Sequence, residues 1–317
     1  MSAAETTEIT ERLIDIEALF AAKNPRLLKF IPGFILSYLK RIVHQDEVNG
    51  YIWRNRDKTG LPFVDAILSE FGVNTRVLDG RAPLPQPCDP LIPASGRYIV
   101  ASNHPLGGLD GMALMQVLGK ARRDIIFPVN DLLMNVPGLR PLFIPINKHG
   151  RNTENARLID QTFASEKMIL YFPAGLVSRK MRGSGYQSSV IRHPSSIIRD
   201  LEWKSTFIKK AKKYHRDIIP VYIAGRNSEW FYNLSNWRKR LGIRANIEML
   251  YLVDEMARQL GKTITLVIGD PIHHATFDKS RSETQWAEYV KEKVYDMEKL
   301  LNIPPPDGHG EEVAVKP

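Results

Sequence analysis

Cysteine is almost missing from this 317-residue chain, with Cys88 standing alone. One thiol excludes an internal disulfide and a cysteine zinc cluster, and it fits a reducing compartment. Long hydrophobic runs are missing too, since a bilayer span needs about 20 apolar residues. The nearest stretch, FIPGFILSYL from Phe30 to Leu39, has ten uncharged residues between Lys29 and the pair Lys40 and Arg41. No Gly-x-Ser-x-Gly elbow is present, which removes the usual serine hydrolase. Gly261-Lys262-Thr263 lacks the upstream glycine of a phosphate loop. There is no zinc-finger spacing, no RNP-like segment, no helix-turn-helix and no internal repeat. His273 and His274 have no clustered acid or cysteine partner, so no metal site is expected. The first twenty residues carry five acids and one base, unlike the basic-then-apolar start of a signal peptide.

What the chain does have is positive charge, +9 from 44 bases and 35 acids. The first twenty residues contribute −4 (one base minus five acids), so the remainder carries +13. A basic body calls for an anionic partner: a lipid surface, an acidic protein or nucleic acid. Two runs hold much of the charge. KSTFIKKAKKYHR supplies Lys204, Lys209, Lys210, Lys212, Lys213 and Arg216. NWRKRLGIR adds Arg238, Lys239, Arg240 and Arg244 near Trp230, Phe231, Tyr232 and Trp237. Aromatic rings beside cations suit a membrane interface, and the basic flanks of Phe30–Leu39 suit a helix lying in one. The plain alternatives are a solvated helix face and a buried core helix.

The prolines gather in RAPLPQPCDPLIPASG, residues 81–96, which reads as an extended connector. It divides a helical N-terminal region, 1–80, from a domain over 97–302. The tail, 303–317, reads as loosely attached. Within 97–302, RYIVAS, DIIFPV, PLFIPI, KMILYF, DIIPVYIA and TITLVIG read as strands, several apolar at nearly every position. GMALMQVLGK, NTENARLIDQTFASE, SIIRDLEWKSTFIKKAKKYH and NIEMLYLVDEMARQLG read as helices, the second capped by Asn152 or Thr153. This alternation predicts an α/β fold whose central, mostly parallel sheet is flanked by helices.

The chemistry concentrates in ASNHPLGGLDGMALM, residues 101–115, where a strand gives way to a helix. Pro105, Gly107 and Gly108 permit a sharp turn that can bring Asp110 to one ring nitrogen of His104. Such a carboxylate fixes the imidazole tautomer and stabilises the imidazolium when the base takes a proton. A capping aspartate beside an ordinary turn histidine reads equally well from spacing alone. Three further strand ends deliver cations toward what could be one face: Lys148 and Arg151, then Ser178, Arg179 and Lys180, then Arg226. That face suits a phosphate or carboxylate.

The order of these blocks resembles the glycerolipid acyltransferase family, the group that includes lysophosphatidic acid acyltransferases. Asn103 and His104 followed by Asp110 resemble its first block, with five residues in between instead of four. Phe143 and Ile144 resemble its second, with the cation displaced to Lys148 or Arg151. Phe172, Pro173, Gly175 and Ser178 resemble its third, but Ala174, Leu176 and Val177 replace its Glu, Thr and Arg. Pro220 sits in a strand like the fourth, and Lys204 resembles the lysine upstream of it. The likeness spans residues 97 to 230.

The resemblance implies direct acyl transfer from acyl-CoA or an acyl-carrier protein to a lyso-lipid hydroxyl, with no cofactor beyond the donor. His104 is then the base and Asp110 its partner. Gly107 and Gly108 offer backbone N–H groups to the oxyanion, and Lys148, Arg151, Ser178, Arg179 and Lys204 hold the acceptor's anion. Losing the Glu and Arg of the third block points away from a glycerol phosphate acceptor. It points toward the haemolysin-like bacterial branch that O-acylates lyso-ornithine or lyso-glycine lipids. Such an enzyme is expected on the cytoplasmic side of the inner membrane, peripheral and without a span. The rival classes are a non-catalytic lipid-binding relative and a nucleic-acid-binding protein. A His104→Ala assay separates the first, and binding to vesicles against duplex DNA the second; no nucleic-acid partner is expected.

Overall fold

The computed structural model describes residues 15–23, 31–81, 90–146, 153–181, 197–243 and 246–302. Most of the proline-rich connector with Cys88, the tail from 303, Phe30, Lys148, Arg151, Asn152 and Arg244 lie outside these residues.

Seven strands make one sheet. In chain order they are β1 (Asn74–Asp79), β2 (Tyr98–Ser102), β3 (Ile125–Val129), β4 (Phe143–Pro145), β5 (Met168–Tyr171), β8 (Asp217–Ile223) and β9 (Thr263–Ile268). The spatial order is β1-β9-β8-β2-β5-β3-β4. β8, β2, β5, β3 and β4 run parallel. β9 runs antiparallel to β8 and carries β1 parallel beside it. The central strands are buried along nearly their whole length, as expected where helices cover both faces. The pleat sorts alternate residues to opposite faces. Val100 packs with Leu109, Ala113 and Val117 of the helix Gly108–Gly119 and with Val64 and Leu68 of the helix Leu61–Glu70. Ile99 and Ala101 pack with Phe207 and Ala211 of Thr206–Tyr214 and with Val290 and Val294 of Glu283–Asp296.

Four sequence expectations change. Residues 1–80 are not a purely helical region: β1 forms one edge of the main sheet, and Leu61–Glu70 packs against Gly108–Gly119. NTRVLD hid because an edge strand keeps polar side chains exposed. Residues 196–215 are not one helix. Ile197–Arg199 is β7, paired antiparallel with β6 (Arg179–Met181), and only Thr206–Tyr214 is helical. The stretch 246–261 is a 3₁₀ turn, Ile247–Tyr251, leading into a short helix, Leu252–Ala257. The apolar N-terminal helix runs Gly33–Ile42, three residues later than its uncharged run suggests.

Arg216, expected on the basic surface, is fully buried. Its guanidinium donates to the carbonyls of Tyr98, Thr162, Phe163, Ser165 and Lys167, satisfying the end of the helix Thr153–Ala164. Burial pulls its pKa down to about 10, so it stays charged at neutral pH. Among the described residues, no helix is long and apolar enough to cross a membrane.

Candidate active site

The five parallel strands put the C-terminal ends of β2, β5 and β8 along one edge of the sheet, where α/β folds place ligands. The chain leaves β2 at Asn103, which is buried. Its amide Nδ2 donates to the carbonyl of Ile223 at 2.9 Å, and its Oδ1 accepts from the N–H of Ile223 at 2.7 Å. That pair of bonds fastens the loop to the end of β8.

His104 follows, with its side chain 18% exposed. Its Nδ1 lies 2.9 Å from Asp110 Oδ2. The same oxygen accepts the N–H groups of Leu106 at 2.8 Å and Gly107 at 3.0 Å. Gly107 has φ +85°, a conformation that L side chains rarely adopt, so the turn favours glycine there. Asp110 is fully buried, and that desolvation pushes its carboxyl above the usual range, against the pull of His104 and the two amides. The ring of Phe172, at the end of β5, stacks on the imidazole at 4.1 Å and 15°. Nδ1 is thus committed to Asp110. Among the described residues Nε2 has no hydrogen-bond partner.

The cap and the dyad, alternatives in the sequence, coexist: Asp110 caps the turn and orients the imidazole. The assignment to the oxyanion narrows. The N–H of Gly107 is taken by Asp110, whereas Gly108 is exposed and nothing lies within 4 Å of where its side chain would begin.

The anion-binding residues separate. Arg179 is buried and pairs with Glu248 at 2.9 Å, where Glu248 also meets Arg238 at 2.7 Å. It turns inward because its neighbours Val177, Phe231 and Tyr232 form a small apolar cluster, and burial lowers its pKa. Arg179 therefore does not face an acceptor. Ser178 is also buried: its N–H donates to the carbonyl of His104 at 2.8 Å and its hydroxyl to Asp200 at 2.6 Å. It braces the loop and does not line an open anion site. Arg226 and Lys180 both pair with Glu229. Lys204 remains. Its backbone N–H donates to the carbonyl of Pro173, its side chain is exposed, and its Nζ stands beside the turn at Gly175, where φ is +64°. Ala174, in place of the family Glu, is packed in the apolar cluster with Trp203 and Phe207.

Asp200 had no signal in the sequence, being one acid within a stretch read as helical. It is fully buried. Its carboxylate accepts from Ser178 Oγ, from the N–H of His104 at 3.2 Å and from Trp203 Nε1 at 2.9 Å, while its own N–H donates to Tyr295 Oη at 2.7 Å. It joins the first and third sequence blocks beneath the histidine.

The aromatic, basic surface also needs correction. Phe231 and Tyr232 are core residues, and Arg238 is the buried partner of Glu248. Lys210 and Lys213 pair with Asp160, and Lys212 with Glu283. Trp230 and Trp237 stay exposed and meet edge to face at 5.9 Å. Tyr251 links them to the N-terminal helix through a 2.6 Å hydroxyl contact with Tyr38. Phe34, at 75% the most exposed large apolar residue among the described ones, lies on that same helix. Away from this edge, Asp217 stands against His273 and His274, the acid that sequence proximity did not supply.

The acyltransferase family model matches residues 18–303. The lyso-glycine lipid O-acyltransferase of Bacteroides thetaiotaomicron is 45% identical over 287 residues, covering 90% of this chain and 97% of that protein. The protein of the same name from Phocaeicola vulgatus is 44% identical over 287 residues, covering 90% and 95%. Among solved structures, the 1-acyl-sn-glycerophosphate acyltransferase of Thermotoga maritima aligns with a TM-score of 0.41 at 16% identity, covering 86% of this chain and 95% of that one.

Proposed function

The chain belongs to the acyltransferase family, and from that premise we propose that it transfers a fatty acyl chain from a thioester to the hydroxyl of a lyso-glycine lipid. The observation that carries the reaction is the His104–Asp110 pair, which holds Nδ1 and leaves Nε2 for the substrate. Nε2 takes the proton of the acceptor hydroxyl as its oxygen attacks the thioester carbonyl. Asp110 stabilises the imidazolium that forms. The N–H of Gly108 faces the developing oxyanion. When the C–S bond breaks, the imidazolium returns its proton to the leaving thiolate. The thioester is carried by CoA or an acyl-carrier protein, and the reaction as written uses no other cofactor.

The acceptor assignment rests on the named relatives and on the third block. Ala174 and Val177 stand where the family has the Glu and Arg associated with its acceptor. A glycine joined to its lipid through nitrogen keeps a free carboxylate, and Lys204 is the exposed cation beside the Gly175 turn. Lys148 and Arg151 remain candidates for the same group. The test is thiol release by the purified protein with a lyso-glycine lipid and with lysophosphatidic acid, using acyl-CoA and acyl-carrier protein in turn. Faster turnover of the lyso-glycine lipid is expected. Lys204→Ala is expected to raise its KM roughly tenfold, the loss of one charge-assisted contact of about 1.5 kcal/mol, with kcat little changed. A preference for lysophosphatidic acid would sink the acceptor assignment.

The surface formed by Phe34, Ile35, Tyr38, Trp230, Trp237 and Leu241 would lie in the cytoplasmic leaflet of the inner membrane. Lys40, Arg41, Lys239 and Arg240 supply the basic residues beside it. Burying one such ring is worth about 1.5–3 kcal/mol. Phe34→Asp with Trp237→Asp should therefore weaken binding to phosphatidylglycerol vesicles by at least about tenfold. Unchanged co-sedimentation would remove this surface from the membrane contact.

A further inference from the structure

At the opposite end of β8 from His104, the chain gathers groups that the acyl transfer does not use. Asp217 opens β8, and His273 and His274 come from the segment after β9. Asp217 Oδ1 lies 2.9 Å from His274 Nδ1 and 4.0 Å from His273 Nε2. One donor atom from each residue falls within 4.8 Å of the others. The rings of His273 and His274 are 4.1 Å apart, and His215 stands edge-on to His274 at 5.0 Å. Two of the eight histidines in the chain thus meet at one carboxylate, with a third against the ring of His274.

We propose that Asp217, His273 and His274 bind a divalent transition-metal ion of the zinc class. Two imidazole nitrogens and one carboxylate oxygen suit such an ion, whereas calcium and magnesium prefer all-oxygen sets. Zinc holds nitrogen and oxygen at about 2.0–2.2 Å, so neighbouring ligand atoms sit roughly 2.9–3.5 Å apart. The Asp217–His274 pair already has that spacing. His273 must close from 4.0 Å, and at 63% exposure its side chain has room to swing.

The fixed part of the site is braced. Asp217 Oδ1 also accepts the backbone N–H of His274 at 2.8 Å, and the backbones of Ile218 and Ile272 exchange two hydrogen bonds beside it. Capping accounts for Asp217 and His274 without a metal, but it leaves His273 Nε2 facing the same oxygen. Coordination through Nε2 places that ring's proton on Nδ1. It gives up the long 3.3 Å bond from the N–H of Ala275, which water can replace at so exposed a turn. Nδ1 of His274 gives up the proton it shares with Asp217 and the ring's one proton sits on Nε2, because the ion takes the lone pairs of Nδ1 and Oδ1. Six residue steps along β8 separate this site from the Asn103 clamp, about 20 Å. The ion therefore acts as a clip between β8 and the segment after β9, and it takes no part in acyl transfer.

The experiment titrates Zn²⁺ into tag-free, chelator-stripped full-length protein, read by calorimetry and thermal unfolding. One ion per chain and a raised unfolding temperature are expected. His273→Ala should weaken zinc binding at least tenfold while leaving metal-free stability and acyl transfer unchanged. His274→Ala should abolish the zinc-induced thermal shift. Failure of the wild type to bind zinc at submillimolar concentration overturns the proposal. So does equal binding by wild type and both variants, since the ion would then sit on other histidines. Neither result touches the acyltransferase reading.

Discussion

His104→Ala is expected to lower kcat for acyl transfer by roughly 10²–10⁴-fold, the range a positioned general base supplies. KM should move little, because Nε2 meets the acceptor hydroxyl as a proton acceptor and does not hold the lipid's anionic group. Asp110→Asn is expected to lower kcat as well, through a mis-set imidazole, but its stability should behave differently. Burial raises the Asp110 carboxyl above its unfolded value. A group raised in this way is stabilising below its unfolded pKa and loses that contribution as pH climbs through the folded value. Above its folded value the ionised, buried carboxylate therefore costs stability, and an amide relieves that cost while still accepting from Leu106 and Gly107. The expected result is a slower enzyme that unfolds no earlier than wild type. Thiol-release rates and thermal unfolding, taken on the same preparations, check both. Wild-type turnover in His104→Ala, with every acceptor that wild type uses, would overturn the assignment of the base.

Glu248→Ala is expected to cost about 3–5 kcal/mol, the usual penalty for removing one partner of a buried ion pair. The glutamate is fully buried, and two guanidinium groups depend on it: Arg179, at 3% side-chain exposure, and Arg238, at 8%. Removing the carboxylate leaves two like charges facing each other in an apolar pocket beside Phe231 and Val177. The loss should appear as a lower urea midpoint with an unchanged slope. A loss below about 1 kcal/mol would mean that water already screens the trio. Since Arg179 opens β6 directly after Ser178, the same variant should also loosen the brace under His104.

The parts legible in the sequence share a physical cause. β2, β3, β5 and β8 are buried on both faces, so each appears as an apolar run whatever its partners are. The His104 turn was legible because glycine at Gly107 and a nearby acid leave a local trace. What stayed hidden depends on distance along the chain or on a change of sign. Asp200 meets His104 across 96 residues, and Asp217 meets His274 across 57. Neither separation leaves a spacing pattern. Arg216 and Arg238 read as surface charge and Arg179 as an anion-binding cation, because sequence cannot tell an exposed guanidinium from one whose partners are buried acids or carbonyls. β1 failed for the opposite reason, since its exposed polar residues masked an edge strand.

The clamp at Asn103 has a consequence for how such a loop changes over time. Its side chain makes both bonds to the backbone of Ile223, so the contact between the parallel strands β2 and β8 is carried by an amide as far as the residue before His104. Ser178 and Asp200 then grip His104 on both sides of its peptide. A change of length that spares both grips falls among the five residues between His104 and Asp110. The rim of the site can drift and accept new lipids while the imidazole keeps its coordinates, which separates the evolution of substrate choice from that of reactivity.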